Sequence, residues 1–248
     1  MKLFHSLLYP LLGGLFCLSC SDDEQDSGTK QPTTAGEVTF GVDLTGFSTR
    51  VTQDGSSWND GDKIGTYVLD MKTLEPVTEA ANVPYVCSEE GASVSFTSTT
   101  PLKVQNDGTP VKFVAYYPYN FNYPVQLAAQ ERGSTACDLL YAATKEEYTY
   151  SPENEPHISL NFTHRLAKVI LKFVNMEKEP LEVSDVRIEG MQTAASFNIQ
   201  TDVLTVDESS VATINPYHNA TTGFYEAIIL PSALTDSYKV SFVLDDRE

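Results

Sequence analysis

Cys17 and Cys20 stand in the stretch CLSCSDDEQD as C-x-x-C, a spacing that serves a dithiol redox pair, half of a zinc site, or one cysteine with a separate fate. A zinc ribbon requires a second such pair or histidines at ligand spacing. The other cysteines, Cys87 and Cys137, stand alone, with no histidine so placed. A thioredoxin-like pair sits inside a folded βαβ unit. This pair instead closes a leader, in which Lys2 provides a positive n-region and Leu3 to Leu18 an almost wholly apolar run. The run is shorter than the ~20 residues that a membrane span needs.

Other chemistry is sparse. The sequence has no G-x-S-x-G elbow, H-E-x-x-H, P-loop or dinucleotide fingerprint. His157, His164 and His218 are scattered and read as hydrogen-bonded structural residues. Glu89-Glu90 and Glu146-Glu147 are adjacent pairs, which on a strand point to opposite faces and cannot flank one bond. Asp60 and Asp62 in WNDGDKIG lack the alternating oxygen ligands of a calcium loop and read as turn residues. The expectation is a protein with no catalytic residue, no metal and no cofactor. The run AYYPYNFNY brings Tyr116, Tyr117, Tyr119 and Tyr123 together, either as a loop that stacks on sugar rings or as a strand end packed on its sheet.

What precedes and follows Cys20 gives it a role. Ser19 is small, and the chain turns acidic at once in SDDEQD. The leader resembles a bacterial lipobox, with Cys17 where Leu is usual. It predicts cleavage between Ser19 and Cys20 and acylation of Cys20, tethering the protein to a membrane without embedding it. Each buried CH₂ of an acyl chain contributes about 0.8 kcal/mol. The acidic stretch serves as a solvated spacer and also resembles the export signal that carries lipoproteins of some Gram-negative anaerobes to the outer face of the outer membrane. A net charge of −18 argues against nucleic acid or anionic lipid as partners, since both demand basic patches.

The elements that would carry any site are strands. After a linker of Ser, Thr, Asp, Gly, Gln and Pro, EVTFGVDL alternates Val38, Phe40, Val42 and Leu44 with polar or small residues, the pattern of a half-buried strand. KIGTYVLDM, ASVSFTS, PVKFVAYYP and YTYSP follow, separated by turn clusters such as Asn106-Asp107-Gly108. PVQLAAQER alone carries a weak helical stripe. Beyond SPENEP, Ile158, Leu160 and Phe162 alternate, and strands continue through LEVSDVRIEG, ASFNIQ, VLTV, YEAIIL and YKVSFVL. Many short strands at this spacing predict an all-β chain of sandwiches. The division expected is a signal peptide over 1–19, an acidic linker over 20–36, and β-domains over 37–154 and 155–248. Cys87 and Cys137 read as buried thiols, although one disulfide between them stays open. Tyr238 to Leu244 ends the chain on a strand whose edge invites a partner, unless the chain is truncated.

The succession VTFGVDLTGFSTR, SSWNDGDKIGTYVL, VKFVAYYPY, CDLLYAAT and ISLNFTHRLAKVILKFV resembles the fimbrillin family, the type V pilins and related surface lipoproteins of anaerobic gut and oral bacteria. The resemblance implies two tandem transthyretin-like Greek-key β-sandwich domains, the second incomplete here, and lipoprotein export to the cell surface. It further implies assembly with other pilin subunits by strand exchange and a role in adhesion. An arginine-specific protease would cut between Arg50 and Val51, releasing the anchor together with the strand of Val38, Phe40, Val42 and Leu44. An incoming strand would then refill the pockets and the ladder. The alternative is that Arg50 is an ordinary loop arginine, with the strand permanent. A cut at Lys30 would free the lipid without opening a groove. The expected location is the outer membrane surface, then the fimbrium. The chain stops before the C-terminal strands usual in the family, so a stalk, tip or anchor role stays open. The other reading is a non-polymerising surface lipoprotein that binds a glycan or host ligand through its tyrosines.

Overall fold

A computed structural model describes residues 35–44, 57–77, 81–120, 125–128, 130, 138–231 and 238–244. Every element in them is a strand, as the period-2 patterns predict. The Ser19–Cys20 junction, Lys30, Arg50, Val51, Tyr123 and Cys137 lie outside the described residues.

The first apolar alternation makes two pairings in succession. β1 (Ala35–Glu37) runs antiparallel to β6 (Lys103–Gln105). After Val38 the chain continues as β2 (Thr39–Leu44), which joins a sheet that closes on itself. Around that barrel come β10 (His157–His164), β2, β5 (Ser93–Thr97), β4 (Val83–Cys87), β3 (Lys63–Asp70), β7 (Val111–Tyr117) and β9 (Leu140–Ala143), with β9 pairing back onto β10. One core fills it, including Phe40, Trp58, Ile64, Tyr85, Phe96 and Phe162. Cys87 in that core is a free thiol.

The expected domain boundary at residue 155 falls between β9 and β10, two strands of the same barrel. His157–His164 therefore completes the first sheet instead of opening a second domain. Its partner β2 lies parallel to it, from His157 opposite Thr39 to Phe162 opposite Leu44. Local alternation specifies a strand but not which strand lies beside it.

The remaining strands form three small sheets. β8 (Val125–Gln126) pairs with β13 (Ala194–Asn198), which pairs with β14 (Val203–Val206). The helix suggested by PVQLAAQER is thus a correction: its start is strand. β11 (Ala167–Leu171), β17 (Phe224–Ile229) and β16 (Tyr217–Asn219) form a second sheet, and β15 (Val211–Ile214), β12 (Val183–Gln192) and β18 (Lys239–Leu244) a third. These last two face each other over Ile188, Met191, Ile214 and Ala227, a small sandwich. YTYSP contributes only a bridge, between Tyr148 and Val111.

A separate apolar cluster joins these sheets to the outside of the barrel. Leu69, Val114, Tyr116 and Tyr141 from barrel strands meet Ala195, Phe197 and Ile228. β3, β7 and β9 are therefore covered on both faces, which is why KIGTYVLD, VKFVAYY and LYAA read as near-continuous apolar runs. Arg165 reinforces the junction: it lies 5.0 Å over the Tyr141 ring and pairs bidentately with Asp202.

Candidate functional site

The strand expected to be exchanged sits in the interior of the barrel sheet. Val38 and Phe40 are fully buried, Val42 is 2% exposed, and Leu44 packs at the cluster's margin. Burying such a side chain contributes about 1.5–3 kcal/mol. Phe40 meets Tyr85 and Phe113 edge to face, at ring separations of 4.8 and 5.9 Å. One edge of β2 pairs with β5, Phe40 opposite Phe96 and Val42 opposite Val94. Its other edge pairs with β10. Taking it out would leave a slot one strand wide, floored by the barrel core and walled by two backbone edges.

Residues that sequence reasoning passed over hold the strand in register. The Tyr85 hydroxyl donates to the Val38 carbonyl at 2.9 Å and accepts the Leu102 N–H at 2.8 Å, while the Val38 N–H donates to the Leu102 carbonyl at 2.9 Å. Burial pushes the Tyr85 phenol up to about 12, against a smaller lowering by the Leu102 hydrogen bond. Tyr85 stays a neutral donor. It lies in VPYVC, a segment whose Pro84 argues against a strand; Pro84 is tolerated because β4 pairs there on one side only. Gly36 lies so close to Tyr150 and Pro156 that any side chain would collide. The His157 ring lies on Gly41 and bonds the Thr39 hydroxyl at 3.0 Å.

Trp58, from the W-x-x-G-D-x-I-G stretch, plugs one side of the core. Its ring stands edge to face with Phe96, Tyr117 and Phe162, and its backbone bridges to Gly91. The turn behind it is built by Asp62, which accepts the Asn59 N–H at 2.7 Å, and by Gly61 at φ +85°. Burial raises the Asp62 pKa. Both carboxylate oxygens of Asp62 are engaged, because Tyr117 donates to the second at 3.1 Å. Among the described residues no group of His, Cys, Asp or Glu is arranged to hold a metal ion.

Of the tyrosines considered as a ligand loop, Tyr116 and Tyr117 are sent to different faces by the fold. Tyr116 is 2% exposed, lies over Gly65 of the neighbouring strand and donates to Asn82 at 2.7 Å. Tyr117 turns to the opposite face, into the barrel core, and burial raises its pKa strongly. Tyr119 is half-buried. Successive strand residues point to opposite faces, so Tyr116 and Tyr117 cannot form one stacking surface.

Residues 49–248 match the family described as fimbrillin-like. No curated protein matches the chain. Among solved structures, a candidate cell adhesion protein from Bacteroides uniformis is similar at 24% identity and a TM-score of 0.64, over 86% of this chain and 80% of that one. Another, from Bacteroides ovatus, is similar at 17% identity and a TM-score of 0.61, over 88% and 85%. At these identities the likeness speaks for the fold.

Proposed function

This chain belongs to the fimbrillin-like family, and on that footing we propose that it is a structural subunit of a bacterial surface pilus, assembled by exchange of its first strand. Membership supports a pilus or adhesin role and a place at the cell surface or in the fimbrium. On this reading the protein works as a building block and carries no catalysis. The chain is exported as a lipoprotein acylated on Cys20 and held at the outer membrane until an arginine-specific protease cuts between Arg50 and Val51.

One observation carries the exchange. The segment N-terminal to Arg50 supplies an interior strand of the barrel, paired on both edges and buried by Val38, Phe40 and Val42. A strand so placed can be replaced by another of the same alternation, because ladder bonds and alternate pockets are what β-addition recognises. An edge strand would leave no slot. Of the four tyrosines of the glycan or host-ligand alternative, Tyr116, Tyr117, Tyr119 and Tyr123, the first two have side chains committed to packing, which favours the pilin reading.

Mass spectrometry of the protein from the cell surface tests the reading. A species beginning at Val51, found in polymers, is expected. A uniformly acylated species beginning at Cys20, monomeric after protease treatment with Val38 to Leu44 still bound, would overturn it.

A further inference from the structure

The barrel is closed by a short zipper. β9 and β10 pair only at Tyr141 with Thr163 and Leu140 with His164, backed by the Arg165 N–H on the Leu139 carbonyl and by His164 Nδ1 2.8 Å from Asp138. Beyond those rungs the two strands part. Among the described residues no ladder register joins 143–148 to 157–161, and a cleft of about 380 Å³ opens between them. Its walls include Ala143, Glu146, Glu147, His157, Ser159 and Asn161.

Both walls are strand edges. The Thr39 N–H donates to the Pro156 carbonyl, which fixes the parallel ladder so that Ile158 and Leu160 bond to β2. His157, Ser159 and Asn161 then direct their N–H and C=O groups the other way, into the cleft. Across from them the Thr144 N–H donates to the Phe113 carbonyl, and Tyr148 and Val111 exchange both backbone bonds. The 144–148 segment is thereby held to β7, leaving the backbone of Ala143 facing the cleft. The walls cannot close on each other without breaking those bonds, so the opening is built in.

We propose that this seam is an acceptor site for an extended peptide segment of a partner protein, one bearing Lys or Arg where it passes Glu146 and Glu147. The segment lies between the β10 edge and Ala143 as an added strand, bonded through its backbone. It is a different position from that of β2, on the opposite edge of β10, and it requires no proteolysis and no loss of the first strand. The exposed carboxylates of Glu146 and Glu147 outnumber the one ammonium of the lining, Lys145, so the rim is net acidic and selects a basic segment, and the net charge of −18 disfavours a second copy of this chain. Backbone pairing gives the affinity and the rim charges the choice of partner.

The test uses the full chain with its first strand intact and a labelled synthetic peptide of alternating threonine and valine flanked by lysines, followed by fluorescence anisotropy. Binding is expected, weakened about tenfold or more when the peptide's alternate amides are N-methylated, since each methyl group removes a backbone hydrogen bond to the cleft. Ser159→Pro, which deletes an N–H directed into the cleft and none of the ladder to β2, is expected to weaken binding similarly with an unchanged melting curve. A charge-reversed peptide flanked by glutamates is expected to bind more weakly still. Equal binding of methylated and unmethylated peptides, or none at millimolar concentration, overturns the proposal without any protein variant. Dimerisation of the chain alone that Ser159→Pro abolishes would assign the seam to a second copy and also overturn it.

Discussion

The Tyr85 hydroxyl is inserted between the Val38 carbonyl and the Leu102 amide, so that one phenol completes the ladder where the first strand passes from β6 into the barrel. Both backbone groups are buried, and removing the hydroxyl leaves each without its partner. Tyr85→Phe is therefore expected to cost about 1–3 kcal/mol, read as a lower urea midpoint with an unchanged slope. The same variant is expected to lose its first strand faster after cleavage, followed by hydrogen exchange at Val38 to Leu44.

Alkali acts on the same bond. Burial pushes the phenols of Tyr85 and Tyr141 up to about 12 from the ordinary 10.0. A folded-state pKa above the unfolded one favours the neutral phenol in the fold, so this stability is fully present below pH 10 and is lost as the pH rises toward 12. Denaturation midpoints measured across that window are expected to fall, and to fall less steeply in Tyr85→Phe.

Phe40→Ala removes a fully buried ring that touches Tyr85 and Phe113. A loss of about 3–5 kcal/mol is expected by chemical denaturation. In a cleaved chain a synthetic Val38–Leu44 strand carrying the substitution should compete poorly with the natural one, which an exchange assay with labelled peptide measures.

Gln130 is a buried side chain that behaves as a strand rung. Its Nε2 donates to the Ile228 carbonyl at 2.6 Å, and its Oε1 accepts the Ile228 N–H at 2.7 Å. Gln130→Ala orphans both groups in the cluster that joins the barrel to the C-terminal sheets, at an expected cost of about 2–4 kcal/mol. Lower protection of the Ile228 amide in hydrogen exchange, with the β2 amides unchanged, would locate the loss.

Gly65 gives Tyr116 its place. A β-carbon there would collide with both the Tyr116 ring and the Asn82 side-chain oxygen. Gly65→Ala is expected to destabilise by about 1–3 kcal/mol as an overpacked site, with only partial recovery in the double variant Gly65→Ala, Tyr116→Leu, which relieves the ring collision but not that with Asn82, checked by thermal melting.

Local patterning is enough to show that this chain is built of strands, and where most of them lie. The alternation of Val38, Phe40, Val42 and Leu44, or of Ile158, Leu160 and Phe162, follows from neighbours two residues apart and needs no knowledge of the rest of the molecule. The same locality made WNDGDKIG legible as a turn. Which strands lie together is a matter of long-range packing. Residues 157–164 sit against residues 39–44 across more than a hundred positions of chain, and the sequence carries no local mark of that pairing. That packing also decided that Tyr116 and Tyr117 face opposite ways and that Tyr85 reaches Val38. That β9 and β10 part beyond two rungs rests on the bonds of Thr144 and Tyr148 to β7. Side-chain period is a property of the backbone, whereas pairing is a competition among distant edges that only the assembled core resolves.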